Sequence, residues 1–168
     1  MKYELINLND ESINFFNKFG KDHALLSASV DGKCNGMTVG WGGAGVMWRK
    51  NVFFCVVRPQ RYTFEFCEKT DIVTLSFFDD DKSDVLKICG SKSGRDCDKF
   101  ALAGITPVIG ENGEVDFEES KMTLVGKKLY AQEMREECFI DKECDKVWYP
   151  EKDYHILYVY EIIEARRK

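Results

Sequence analysis

The stretch that decides the fold is ALLSASVDGKCNGMTVGW, residues 24–41. Its first arm, Ala24 to Val30, has the small and apolar residues of a buried strand. Asp31-Gly32 follows, a pair that favours a two-residue hairpin turn because glycine accepts a positive φ there. The chain then returns as Cys34 to Trp41. The stretch therefore predicts an antiparallel β-hairpin whose second arm carries an amide, a hydroxyl and an indole.

Further strand and helix signals extend this hairpin into a larger sheet. Apolar runs or alternation typical of strands occur at Asn51–Val57, Ile72–Phe78, Lys121–Cys138 and Tyr154–Glu164. Short helices are predicted at Tyr62–Lys69, Lys82–Cys89 and Asp96–Ala103. Strands at regular spacing with short helices between them favour an antiparallel barrel over a parallel sheet. We expect a mainly β fold with short helices, in one domain over residues 1–168.

Four expectations concern the connections between these elements. A further helix should begin at Asn9–Ser12 and end at Gly20. The glycine-rich segment 40–45 predicts the exit of a strand and a loop. The charged connection with Trp148-Tyr149-Pro150 predicts a loop between the last two strands. The closing Arg166-Arg167-Lys168 predicts a solvated tail.

Composition limits the classes of function. The chain has 168 residues, of which 44% are hydrophobic, and a formal net charge of −5 at pH 7. A negative net charge argues against a broad nucleic-acid surface. The N-terminus does not resemble a signal peptide and no apolar run reaches about 18 residues, so we expect no membrane association and a cytoplasmic location. The seven cysteines lack a CxxC pair, which predicts free, mostly buried thiols and no metal site.

The second arm of the hairpin offers groups that suit a flat polar ring. Asn35 has two donors and an acceptor, and Thr38 has one hydroxyl. The backbone of Met37–Gly40 belongs to a strand, whose edge alternates N–H and C=O groups as the edge of an isoalloxazine ring requires. Trp41 is placed to lie against such a ring or to close the pocket beside it. The alternative interpretation is a tight turn followed by a core tryptophan.

A second cluster, Arg58-Pro59-Gln60-Arg61-Tyr62-Thr63, suits an anion. Thr63 falls near the start of a predicted helix, where free backbone N–H groups and the helix dipole attract negative charge. Arg58 and Arg61 can form charge-assisted, bidentate bonds with a phosphate. The alternative interpretation is a helix N-terminus with two solvated arginines.

Two further candidates have weaker local support. In Ser91–Phe100, serine hydroxyls, a glycine turn and basic side chains precede or enter a helix. Ser93 and Lys99 are therefore candidate helpers at a phosphate, although Ser93 or Asp96 also fits a plain helix cap. His155 opens the last strand, where its imidazole suits a flavin edge, an incoming nicotinamide or a structural hydrogen bond.

In combination these segments resemble the flavin reductase-like family of FMN-binding split barrels, and its flavoredoxin-type branch in particular. The matching motifs are Asn35-x-Met37-Thr38-x-x-Trp41, Arg58-x-x-Arg61-x-Thr63, Ser93-Gly94-Arg95-Asp96-x-Asp98-Lys99-Phe100 and His155. They follow the family's order over about residues 20–165. The resemblance implies a six-stranded antiparallel Greek-key split barrel that forms a homodimer and holds FMN near the subunit interface.

The resemblance also implies roles for individual residues. The isoalloxazine and ribityl contacts would be Asn35, Met37, Thr38, Val39, Gly40 and Trp41. The phosphate contacts would be Arg58, Arg61, Tyr62 and Thr63, with Ser93 and Lys99 as helpers. His155 would stand near the site of hydride entry, as the one catalytic candidate. Many relatives have a glycine after this histidine, whereas this chain continues with Tyr158-Val159-Tyr160, a departure on the nicotinamide side.

Three functions stay open at this point. Family members either reduce flavin with NADH or NADPH, or keep FMN bound and pass electrons to a partner protein or small acceptor. The first type is the leading expectation for this chain. The third is a flavin-free barrel that binds another ligand, such as pyridoxal phosphate or a haem-like group.

Overall fold

The structure is a computed structural model that describes residues 3–9 and 13–168. Its strands are β1 (Glu4–Leu5), β2 (Ala24–Val30), β3 (Lys33–Val39), β4 (Gly42–Met47), β5 (Lys50–Val57), β6 (Ile72–Phe77), β7 (Pro107–Ile109), β8 (Val115–Phe117), β9 (Met122–Glu133) and β10 (Ile156–Arg167). Its α-helices are α1 (Phe15–Gly20), α2 (Tyr62–Lys69), α3 (Ser83–Ser91), α4 (Lys99–Ala103) and α5 (Lys142–Trp148). The expected mainly β class with short helices is confirmed.

One antiparallel sheet curls into the barrel. Its strand order is β3-β2-β6-β9-β10-β5-β4, and β1 pairs with the far end of β10. Met37 of β3 and Cys55 of β5 lie in the same hydrophobic cluster, although their strands stand near opposite ends of this order. β3 and β5 also contact each other. The sheet is therefore wrapped round one core, which confirms the split-barrel architecture, although the sheet contains eight strands and six were expected.

The β2–β3 hairpin forms as predicted. Asp31 and Gly32 have φ angles of 51° and 75°, as a two-residue turn of this type requires. The strand register begins beside the turn with Val30 opposite Lys33. β3 ends the strand order, so one of its edges faces away from the sheet.

Strand β2 separates two hydrophobic clusters. Leu26 belongs to the barrel core together with Phe53, whereas Leu25 packs on the opposite face with Phe100 and Phe117 of α4 and β8. Both leucines are fully buried. Successive residues of a strand face opposite sides, so burial on both sides requires the apolar run that the sequence shows in β2.

The glycine-rich segment after β3 is a strand, and the predicted loop is wrong there. β4 pairs in antiparallel fashion along β5. A Cβ atom at Gly43 would lie 2.9 Å from the Phe54 ring. The missing side chain therefore lets the strand backbone pass close to that ring. Glycine is a poor strand former, so composition alone hides this strand.

The C-terminal residues are part of the fold, and the expected solvated tail is also wrong. β10 continues through Arg167. Arg166 is buried, and its guanidinium pairs with Asp116, with Glu164 and, at 3.4 Å, with Glu114. A buried guanidinium needs such partners. Asp116 and Glu114 precede Arg166 by about 50 residues, so a local sequence pattern does not reveal these ion pairs.

Three other connections differ in detail from the expectations. Helix α1 begins at Phe15, where the Asn14 side chain caps it by accepting from the Asn17 N–H at 3.1 Å. The predicted start at Asn9–Ser12 falls partly on residues 10–12, which lie outside the described residues. The β7–β8 hairpin and helix α5 were not predicted. Each strand of that hairpin has three residues, too few for a periodic pattern.

Candidate functional site

Two adjoining cavities lie beside β3 and the N-terminus of α2. The first, here the aromatic cavity, has a volume of about 510 Å³ and includes Trp41, Trp148 and His155 in its lining. The second, here the basic cavity, has a volume of about 570 Å³. Its basic lining residues are Arg58, Arg61, Lys92, Arg95 and Lys99. Both volumes fall in the range of small-molecule sites.

The two cavities form one continuous site because they share lining residues. Met37, Arg58 and Arg61 line both. Thr38 lines the aromatic cavity together with the two arginines. The hairpin cluster and the arginine cluster of the sequence therefore meet in space. A ligand that spans both cavities meets aromatic rings at one end and positive charge at the other.

The structure places most of the predicted site residues around these cavities. The aromatic cavity takes Met37, Thr38, Val39, Gly40, Trp41, Arg58, Arg61 and His155. The basic cavity adds Tyr62, Thr63, Ser93 and Lys99 to the three shared residues. Asn35 is the exception, since it lines neither of them. It lines a groove of about 940 Å³ that adjoins the basic cavity, with which it shares Tyr62, Arg95, Asp96 and Lys99.

Asn35 and Thr63 are bonded to each other inside the protein. The Asn35 Nδ2 donates to the Thr63 Oγ1 at 2.8 Å, and both residues are buried. A Cβ atom at Gly94 would lie 2.2 Å from the Asn35 Oδ1, so only glycine allows the amide to sit against this loop. The pair joins β3 to α2 and to the loop before α4. Its direct effect is to hold these three elements in place.

Thr38 joins β3 to helix α3. Its hydroxyl donates to the backbone carbonyl of Leu86. Gly90, one turn later, packs closely, since a Cβ atom there would lie 3.2 Å from the Thr38 Cβ. The hydroxyl proton is therefore engaged, and the oxygen offers a ligand in the aromatic cavity an acceptor.

Arg58 is held by the segment that leads into β10. Its guanidinium donates to the Asp153 carboxylate and, at 2.9 Å, to the Trp148 carbonyl oxygen. It also lies 5.4 Å from the ring centroid of Tyr149, in a cation–π contact. Asp153 accepts a further bond from Gln60 at 2.7 Å. Arg58 therefore fastens this segment to the site, and much of its charge is already neutralised.

Arg61 and Lys99 are less neutralised by nearby carboxylates than Arg58 is. The Arg61 Nη1 donates to the Gly90 carbonyl at 3.2 Å. Lys99 is 4% exposed, and its Nζ faces the carbonyls of Cys89 and Lys92 at 3.5 and 3.4 Å, longer than a usual hydrogen bond. Burial lowers the pKa of Lys99; the Cys89 thiol opposes this shift and Arg61 adds to it. An anion placed between these two cations would stabilise both charges.

The loop before α4 contributes Ser93 and Arg95. The Ser93 Oγ accepts from the Arg95 backbone N–H at 3.2 Å. The Arg95 guanidinium pairs with Glu65 and lies 4.8 Å from the Tyr62 ring centroid. Arg95 is thus neutralised by an acid on α2, as Arg58 is by Asp153.

His155 is enclosed by aromatic side chains. Its ring centroid lies 5.2 Å from that of Trp41, and its Nδ1 lies 2.8 Å from the Tyr149 hydroxyl oxygen. Trp148 meets Trp41 edge to face at 5.1 Å. Burial, together with the positive charge of Arg58, lowers the pKa of His155 to about 4. At neutral pH the imidazole is uncharged and offers one donor and one acceptor.

Sequence reasoning missed the contribution of α5 and its C-terminal flank. Trp148, Tyr149 and Asp153 all contact predicted site residues. The available signal was an aromatic pair directly before a proline in an otherwise charged connection. Tyr158 and Tyr160, where this chain departs from many relatives, do not line either cavity, because both side chains are fully buried in the barrel core.

Other functional features of the described residues are few. None of their helices is long and apolar enough to cross a membrane. They contain no group of three or more His, Cys, Asp or Glu side chains that would hold a metal ion. The cysteines are free thiols as expected, but they are not mostly buried: Cys55, Cys67 and Cys89 are buried, whereas Cys138 and Cys144 are exposed. Burial raises the pKa of Cys89 to about 11, so this thiol stays protonated and unreactive.

Comparisons with known proteins agree with this architecture. The sequence model of the Flavin reductase like domain matches residues 16–166. No curated protein matches the chain. The flavoredoxin from Methanosarcina acetivorans has a TM-score of 0.70 and 22% identity, covering 94% of this chain and 76% of that one. An FMN-binding domain of a flavin reductases-like enzyme from Shewanella baltica OS155 has a TM-score of 0.70 and 16% identity, covering 99% and 77%.

A third solved structure is an NADH:FAD oxidoreductase from Streptomyces globisporus C-1027. It has a TM-score of 0.65 and 14% identity, covering 88% of this chain and 75% of that one. At these identities the solved structures establish the fold. The family follows from the sequence match, which extends from α1 almost to the end of β10. The chain therefore belongs to the Flavin reductase like domain family.

Proposed function

We propose that the protein is an FMN-binding oxidoreductase that takes hydride from NADH or NADPH. The observation that carries this proposal is the junction of the aromatic and basic cavities at Met37, Arg58 and Arg61. FMN has the same division, with a flat ring system at one end and a phosphate dianion at the other. The chemistry of the lining residues therefore fits this cofactor.

The phosphate is proposed to bind between Arg61 and Lys99. These cations are less neutralised than Arg58 and Arg95, which pair with acids. Helix α2 starts beside them, and its N-cap residue, Arg61, makes no side-chain capping bond. The Phe64 N–H donates to the Arg61 carbonyl at 3.0 Å, so the N–H groups of Tyr62 and Thr63 are the ones that α2 can offer an anion, in addition to the two charges.

The ring is proposed to lie along β3 in the aromatic cavity. The backbone of Met37–Gly40 supplies donors and acceptors from the free edge of the sheet. Trp41 and His155 bound the same space. When bound, FMN would accept the hydride at its N5 atom, while the protein binds and orients the ring and tunes its electronics.

An electron-carrier flavoprotein reduced by a partner protein is the second candidate. The structural similarity to a flavoredoxin favours it. So does the rim of the aromatic cavity, where Trp41 and Trp148 are 42% and 51% exposed. Exposed aromatic side chains next to a cofactor are suitable contacts for another protein.

The visible spectrum of the purified protein tests both candidates. A flavin spectrum that bleaches rapidly on anaerobic addition of NADH or NADPH supports the oxidoreductase. A bound flavin that bleaches only when a separate reductase is added supports the carrier. A colourless protein that takes up no added FMN contradicts both, and mass spectrometry of the denatured protein then identifies any other ligand. Free FMN with the same nucleotide is the control.

We further propose that the protein forms a homodimer. Strand β4 is the last strand of the sheet order and its sequence, GGAGVM, carries no charge. The β4–β5 hairpin also exposes Val46, Met47 and Trp48. An uncharged sheet edge beside apolar side chains favours pairing with another chain. Light scattering during size exclusion measures the mass, and a monomer at micromolar concentration contradicts this proposal.

A further inference from the structure

Tyr149 lies next to His155 and determines which imidazole nitrogen is free. The Tyr149 hydroxyl oxygen is 2.8 Å from the His155 Nδ1. Tyr149 is 3% exposed and lines neither cavity, whereas His155 lines the aromatic cavity. With Nδ1 engaged by Tyr149, Nε2 is the nitrogen that remains for a ligand.

The ring of His155 is held in this orientation by several contacts. The Tyr149 ring meets it edge to face at 5.5 Å, and the Trp41 ring lies 5.2 Å away. Its backbone carbonyl accepts from the Met134 N–H at 2.9 Å. A ring fixed on two sides cannot exchange its two nitrogens by rotation without disturbing its neighbours. The hydrogen bond to Tyr149 is therefore a lasting feature of the site.

Two proton arrangements are compatible with a 2.8 Å separation. In the first, the Tyr149 hydroxyl donates to Nδ1 and the imidazole proton resides on Nε2. In the second, Nδ1–H donates to the phenol oxygen, and the hydroxyl proton turns to the Met134 Sδ at 3.4 Å. A thioether is a weak acceptor and an imidazole nitrogen is a strong one, which favours the first arrangement.

We propose that Tyr149 is a positioning residue that fixes the proton of His155 on Nε2, so that the aromatic cavity presents an N–H donor to its ligand. The ligand atom that meets His155 is then an acceptor, such as the oxygen of a ring carbonyl or a carboxamide. A ligand group that is itself a donor would leave two N–H groups facing each other, which costs binding energy. The identity of the ligand rests on the proposed function, whereas the position of the proton does not.

The ¹⁵N NMR spectrum of protein labelled at histidine tests this assignment directly. The chain contains two histidines, so the signals of His155 and His23 are readily assigned with a His23→Gln variant. We expect the His155 Nε2 to carry the proton and Nδ1 to show the shift of an unprotonated, hydrogen-bonded nitrogen at neutral pH. A proton on Nδ1 in the unmodified protein overturns the proposal.

Two tyrosine variants separate the proposed bond from general packing. Tyr149→Phe keeps the ring but removes the hydroxyl, so the His155 shifts should move towards those of a mixture of tautomers. Tyr154→Phe is the matched control, because the Tyr154 ring lies 5.0 Å from the Tyr149 ring while the Tyr154 hydroxyl donates to Asp145. Unchanged His155 shifts in Tyr149→Phe, or equal changes in both variants, contradict the proposal. The measurement needs no flavin, so it stays decisive if the protein proves not to reduce FMN.

Discussion

Replacing Arg61 by alanine tests the proposed phosphate end of the site. Arg61 lines both cavities and contacts the Gly90 carbonyl, and it forms no ion pair with an acid in the described part of the chain. Its removal therefore leaves no buried carboxylate unpaired. The effect on a bound anion should be visible without a large change in the fold.

The structure sets the expected size of this effect. A hydrogen bond to a charged group contributes about 1.5–3 kcal/mol. Arg61 is exposed, so solvent and salt screen it and the lower limit applies. A loss of about 1.5 kcal/mol corresponds to about a tenfold weaker FMN affinity. Lys99 is buried on the same cavity and remains, so binding should be weakened and not abolished.

Fluorescence titration with FMN and with riboflavin is the appropriate assay, because riboflavin lacks the phosphate. Arg61→Ala should lose affinity for FMN and keep its affinity for riboflavin. Added salt should reduce the difference in FMN affinity between the variant and the unmodified protein. Arg135→Ala is the control, since it removes the same charge from an exposed position that lines neither cavity. An unchanged FMN affinity, or equal losses for both ligands, refutes the assignment of Arg61 to the phosphate.

Three further substitutions test individual interactions of the fold, two of them at residues predicted for the site. Asn35→Ala should destabilise the protein by about 1–3 kcal/mol in urea denaturation, because it removes the buried partner of Thr63. FMN affinity should change little, and a large loss would place the amide at the ligand. Arg166→Ala should cost about 3–5 kcal/mol because Asp116 stays buried without its cation; a loss below about 1 kcal/mol would restore the interpretation as a solvated tail. His155 has a pKa of about 4 in the folded protein and 6.5 when unfolded. The contribution of its neutral form to the free energy of unfolding is therefore complete above pH 6.5 and is lost as the pH falls from 6.5 to 4. The free energy of unfolding should fall by about 1–2 kcal/mol over this range, after allowance for partial exposure. His155→Gln should flatten this part of the pH–stability curve. Parallel curves for the two proteins would contradict the shift in the His155 pKa.

The β2–β3 turn and helix α2 could be predicted from the local sequence, because their geometry depends on residues that are neighbours in the chain. The Asp31-Gly32 pair predicted the hairpin turn, since both residues must adopt positive φ there. Helix α2 occupies the predicted residues Tyr62–Lys69. Because the hairpin and this helix position Thr38 and Arg61, much of the candidate site could be located before the fold was known.

Features that depend on distant partners could not be predicted in this way. Arg58 lines both cavities as expected, but its guanidinium also pairs with Asp153, which follows it by 95 residues. Asn35 offers the right groups for a ring edge, yet its bond to Thr63 arises only when β3 packs on α2. In both cases the tertiary fold supplies a protein partner that the residue type and the local sequence do not indicate.

The position of β2 between two hydrophobic clusters has a consequence for cooperativity. Leu25 and Leu26 are joined by one peptide bond, and each is buried in a different cluster. Detaching the layer formed by α3, α4 and β8 would expose one face of a strand whose other face fills the barrel. Melting of either half would therefore expose apolar surface on the other half, so heating should give a single calorimetric transition of the two-state kind.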